Sequence, residues 1–164
     1  RRDRAPGHTD PGSAEVTADI TVDVIVDAEP RVVWAAVTDW PPQSEWMLGT
    51  EVRATEQGGV GVGGGIEAFT GVGRLGFLDT MVITEWDPPH RCVVRHTGAF
   101  VQGLGIFEVL ALPQGRSRFV WAEQLDLPLG RLGQLAWPVV RPGFAWGVRR
   151  SLEALAADVE RAGR

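Results

Sequence analysis

The sequence predicts an α+β fold: a curved antiparallel sheet of six or seven strands wrapped around a long C-terminal helix, with two short helices after the first strand. Three observations predict it. Apolar and polar residues alternate over residues 15–27, the period of a strand buried on one face. Short strand-like runs at close spacing, divided by turn-forming residues, fill the middle of the chain and imply hairpins. The closing segment carries an apolar stripe at helical spacing.

In the first strand, Val16, Ala18, Ile20, Val22, Val24 and Val26 fall on one face and Thr17, Asp19, Thr21 and Asp23 on the other. Pro30 suits the first turn of a helix running to about Asp39, because the N–H that proline lacks would have no intrahelical partner there. The pair Pro41-Pro42 ends that helix, and "QSEWM" forms a second short one beyond the kink. Strand-like runs follow near residues 50–57, 65–73, 77–87, 91–98, 101–112 and 116–127, with "GGVGVGGG", "DPPH", "TGA" and "PQGR" among their breaks. After "DLPLGRLG", a segment broken by Pro138 and Pro142 leads into a helix that starts close to Pro142 and ends about Ala162. Its stripe is Phe144, Val148, Leu152, Leu155 and Val159, bordered by Gly147, Ser151 and Ala154, which permit close approach to a sheet. A strongly curved sheet around such a helix leaves space between the two.

At 164 residues the chain fits one domain, residues 15–164, behind a flexible tail over residues 1–14 that has no apolar signal region. Because it opens on Arg1 rather than Met, the chain is expected to be a piece of a longer one. A net charge of −5 without any basic stripe argues against a nucleic-acid partner. The apolar runs fall far short of the ~20 residues a membrane helix needs, so no stable membrane insertion is expected. Lysine is absent, which removes lysine Schiff-base chemistry and with it pyridoxal phosphate. Cys92 is the single cysteine, so neither an internal disulfide nor a cysteine metal cluster can form, which suits a reducing cytoplasm. Lys, Asn and Tyr, whose codons are rich in A and T, are all missing, and this points to a GC-rich bacterial genome.

The stretches "EPRVVWAAVTDWPPQSEWM", "TEWDPPHRCVVRHTG" and "RPGFAWGVRRSLEALAADVE" resemble the START-like (SRPBCC, helix-grip) superfamily, in its bacterial polyketide cyclase/dehydrase-like branch, over about residues 15–162. That superfamily includes lipid carriers, hormone receptors and aromatic cyclases, so the resemblance implies a fold and an internal cavity rather than one activity. The expected ligand-lining set is Trp40, Phe69, Met81, Arg95, Phe107, Trp121, Trp137, Phe144 and Val148. The resemblance also places Trp40 and Trp137 across the cavity mouth from each other, with glycine-rich connections bordering the entrance. It implies no cofactor and no metal, a small hydrophobic ligand as partner, and a monomer or homodimer.

Gly59 to Gly64 and Gly71 to Gly76 each match G-x-G-x-x-G, but both are followed by strand-like sequence, whereas dinucleotide binding needs a following helix. Hairpin or bulge glycines are the simpler account. His8 lies in the tail, and His90 and His96 are spread over about 20 Å of strand, so they cannot share a metal. No serine sits in G-x-S-x-G. His96 shares a face with Cys92 and Val94 and is either a structural histidine or the best available base. Glu123 shares a face with Phe119, Trp121 and Leu125. It either enters the pocket, where burial would raise its pKa toward a range useful for proton transfer, or stays at the rim paired with an arginine, Arg74 or Arg95 being candidates. Trp34 and Trp46 read as core, while Trp121 lines the interior. Trp146 falls opposite the apolar stripe, among Arg149, Arg150 and Glu153, and needs a cover.

Two functions follow. The first is a carrier or sensor that binds a small hydrophobic molecule, aromatic and polyketide-like compounds among the candidates, in an internal cavity. The alternative is a polyketide cyclase/dehydratase-type enzyme in which Glu123 and His96 are catalytic and assist enolisation of a bound chain.

Overall fold

A computed structural model of the chain describes residues 17–99, 101–126 and 131–163, so the expected tail over residues 1–14 lies outside them. Seven strands, β1 (Thr17–Val26), β2 (Thr50–Ala54), β3 (Gly65–Val72), β4 (Leu75–Asp87), β5 (Arg91–His96), β6 (Gln102–Leu112) and β7 (Arg116–Asp126), form one sheet ordered β1-β7-β6-β5-β4-β3-β2. All neighbours are antiparallel. After β1 the chain crosses to the far edge through two helices, α1 (Pro30–Thr38) and α2 (Gln43–Trp46), and then meanders back until β7 lies beside β1. The last helix, α3 (Arg131–Ala162), packs against β1, and the whole is the α+β helix-grip arrangement.

The alternation in β1 has the expected sense. Ile20, Val22 and Val26 are buried, while Thr21 and Asp23 face solvent. Pro30 sits in the first turn of α1, and Val33, Trp34 and Val37 bury one face of that helix. A register shift between Ile83 and Glu85 bulges β4 against β5, which adds to the curvature that lets one sheet reach around a helix. Leu152, Leu155 and Val159 of α3 join Val26, Val109 and Phe119 of the sheet in the main core.

The C-terminal helix departs from expectation at its start. It is continuous from Arg131 and does not begin near Pro142; both Pro138 and Pro142 lie inside it. The two prolines are four residues apart on one exposed side. The carbonyls they leave unbonded can therefore be satisfied by water, so the helix continues through both. Among the described residues no helix is long and apolar enough to cross a membrane.

Candidate functional site

Between the sheet and the helices lies a cavity of about 340 Å³, within the range of small-molecule sites. Strand alternation builds most of its wall. Met81 on β4, Val94 on β5, Phe107 on β6 and Trp121 on β7 all point to the concave side, and Trp40, Phe144 and Val148 approach from the helical side. Phe107 and Trp121 meet edge-on with ring centroids 4.8 Å apart. Leu48, Phe77 and Phe144 line the cavity yet remain partly open to solvent, and so mark its mouth.

In this apolar space the charged lining side chains are Asp79, His96 and Glu123, and they are bonded to one another. His96 Nδ1 is 2.7 Å from Asp79 Oδ2, and His96 Nε2 is 3.0 Å from Glu123 Oε2. The Trp121 indole N–H donates to the other Glu123 oxygen at 2.6 Å. All three charged residues are buried. Asp79 Oδ1 is a buried acceptor with no partner among the described residues.

The reach from β5 to β7 depends on the strand between them. On β6 the residue opposite His96 is Gly103, and the residue opposite Glu123 is Gly105. No side chain therefore stands between the imidazole and the carboxylate. A Cβ on Gly105 would come within 2.9 Å of Val94 Cγ2 and 3.4 Å of both Glu123 carboxylate oxygens.

Burial by itself would lower the His96 pKa, but the hydrogen bonds to Asp79 and Glu123, reinforced by their charges, raise it to about 9. At neutral pH the ring is an imidazolium that donates from both nitrogens. Two carboxyl groups flank one imidazole, so the triad concentrates acidic groups in an otherwise apolar cavity. Such an assembly can hold a polar group of a ligand, accept a proton from it, or pass one between its own members.

Of the expected ligand-lining residues, Trp40, Met81, Phe107, Trp121, Phe144 and Val148 line the cavity. Phe69, Arg95 and Trp137 do not. Phe69 and Arg95 each fall one residue out of phase with the inward positions Ala68, Thr70, Val94 and His96, and Arg95 is exposed. Trp137 lies within α3 and packs half-buried against the core instead of standing at the mouth. Trp40 is likewise not a mouth residue. It is 3% exposed, and its indole N–H donates to the Gly59 carbonyl at 2.8 Å.

That contact accounts for part of the glycine-rich stretch. Gly59 has φ +68°, and a Cβ on it would lie 2.4 Å from Trp40 Nε1. The second G-x-G-x-x-G match is the β3–β4 hairpin, with a strand and not a helix after it. Glu123 is inside the cavity and pairs with His96 rather than an arginine, since Arg74 and Arg95 are both exposed. His90 is in the exposed turn before β5. Trp34 and Trp46 are buried as expected, Trp34 edge-on to Trp86 at 5.1 Å. Trp146 is 65% exposed, opposite the packed stripe. Burial and the Glu85 charge push the Cys92 thiol up to about 12, so it is an inert core group.

Asp79 and Gly105 are not among the expected site residues. The signal for Asp79 lies two positions before the expected Met81, on the same strand face. For Gly105 there was no local signal, because its importance depends on which strands flank β6.

The family model described as polyketide cyclase / dehydrase and lipid transport matches residues 17–160. No curated protein matches the chain by sequence. Among solved structures, a protein of Thermus thermophilus is 15% identical with a TM-score of 0.75, over 90% of this chain and 100% of that one. The Zhui aromatase/cyclase of Streptomyces sp. R1128 is 18% identical with a TM-score of 0.73, over 91% and 97%. A point mutant of Thalictrum flavum norcoclaurine synthase, in complex with a transition-state analogue, is 15% identical with a TM-score of 0.68, over 93% and 99%. At these identities the likeness is one of fold.

Proposed function

The chain belongs to the polyketide cyclase / dehydrase and lipid transport family, and on that footing we propose that it holds a small, largely hydrophobic molecule, aromatic or polyketide-like, in its internal cavity as a carrier or sensor. One observation carries this reading: an apolar, aromatic-walled cavity of about 340 Å³ whose charged groups are gathered in a single buried cluster. Such a cavity favours ligands that bury an apolar body and present one polar end. The buried, free Cys92 agrees with a reducing compartment such as the cytoplasm. Native mass spectrometry of protein purified from its own host tests the reading. A bound species of small-molecule mass, released on denaturation, is expected; a bare chain in repeated preparations would contradict it.

A second reading, a cyclase/dehydratase-type enzyme, is favoured by the position of Glu123 and His96 inside the cavity. A carboxylate there can take a proton from the carbon beside a substrate carbonyl, leaving the electron pair on the carbonyl oxygen as an enolate, while the bond from His96 holds the Glu123 carboxyl group in place. Glu123→Gln keeps the shape and loses the titrating proton, so turnover of a polyketide substrate should be lost while affinity stays within a few-fold. Unchanged turnover would remove Glu123 from any mechanism.

A further inference from the structure

Building on the reading that the cavity holds a small apolar molecule, we propose that this molecule is a cation: a protonated amine on an aromatic or alicyclic body, its ammonium group seated against the Asp79–His96–Glu123 triad.

The charges come first. Asp79 and Glu123 face a single imidazolium, and neither arginine nor lysine is among the described lining residues. A second buried acidic group is costly to ionise without a cationic partner, and among the described residues the wall holds no arginine or lysine to supply one. An ammonium group supplies it. A ligand carboxylate would instead add a third acidic group to the site, so fatty acids are poor candidates despite the apolar wall.

Hydrogen bonding gives an independent argument. Asp79 is 8% exposed and lines the cavity, and its Oδ1 has no donor among the described residues. Both His96 nitrogens and the Trp121 indole are already committed to the other three carboxylate oxygens. Among the described residues Asp79 Oδ1 is the carboxylate oxygen of the triad that has no donor. An ammonium has N–H groups and no acceptor to repel the carboxylates.

The walls are the third argument. Trp40, Phe77, Phe107, Trp121 and Phe144 line the same space, and a desolvated cation is attracted to aromatic faces. Trp121 joins the two features, because its indole N–H is held by Glu123 Oε1 while its ring forms part of the wall.

The test uses three ligands of one shape against the full chain by calorimetry at neutral pH: 2-(2-naphthyl)ethylamine, 2-(2-naphthyl)ethanol and 2-naphthylacetate. The amine should bind about tenfold or more tighter than the alcohol, with the carboxylate weakest. In Asp79→Asn, checked by circular dichroism, the amine and the alcohol should come within about threefold of each other; Glu123→Gln, measured the same way, serves if that variant does not fold. Alcohol binding as tightly as amine, or carboxylate binding tightest, would overturn the cation proposal and leave the cavity reading standing. Failure of all three to bind would remove the cavity reading and the proposal together.

Discussion

His96 on β5 and Glu123 on β7 are hydrogen-bonded at 3.0 Å although a whole strand, β6, lies between their own. The bond exists because β6 turns glycines, Gly103 and Gly105, toward them. Gly105→Ala should therefore act on the triad. Its methyl group would press on Val94 and the Glu123 carboxylate, part the pair, and lower the His96 pKa toward its ordinary value. Imidazole chemical shifts followed through a pH titration check this. A His96 pKa still near 9 in the variant would show that Gly105 is not what permits the bond.

Stability should depend on pH through the same histidine. The His96 pKa is raised from 6.5 to about 9 on folding, so the folded state binds the proton more tightly than the unfolded chain. The stabilisation is present in full below pH 6.5 and is lost as pH rises toward 9, on the order of 3 kcal/mol in all. Denaturant melts across this range should show the decline. His96→Gln should flatten it, and an equal slope in that variant would locate the effect elsewhere. Above pH 9 the buried Cys92 thiol begins its own loss, so the test is read below that value.

The inward face of β1 can be tested by charge. Ile20 and Val22 are 2% and 3% exposed, and Ile20→Asp or Val22→Asp should destabilise by about 3 kcal/mol or more through an unpaired buried carboxylate. Thr21→Asp, on the solvent face, should change stability by less than about 0.5 kcal/mol. A change in the thermal melts for Ile20→Asp or Val22→Asp no larger than that for Thr21→Asp would mean that the wrong face of the strand has been assigned to the core.

Period and punctuation made most of the fold legible. The alternation through Ile20, Val22 and Val24, the prolines at 30, 41 and 42, and the short breaks between runs each report a local constraint that the tertiary structure keeps. The start of α3 was not legible in this way, because whether Pro138 and Pro142 stop a helix depends on whether their side of it faces water. The inward positions of Glu123 and His96 follow from alternation. That each finds the other does not, since it rests on β6 lying between β5 and β7 and on two glycines there. Arg95 and Phe69 show the limit in the other direction. Their residue types suit a ligand, but they fall on the outward phase of their strands.

The central claim is that the space between sheet and helix is a binding cavity and not a packing flaw, and Gly147 offers the most direct measurement. It lines the cavity from α3, and a Cβ placed on it meets nothing within 4 Å. Gly147→Leu should fill the space while improving the helix by up to about 0.8 kcal/mol, from propensity alone. With wild type and variant side by side, calorimetry and tryptophan fluorescence against a panel of flat aromatic ligands should give binding with a negative heat-capacity change to wild type. The variant should bind at least about tenfold more weakly and melt no lower. If no ligand binds wild type better than about millimolar, or if Gly147→Leu binds as wild type does, the cavity is not the site.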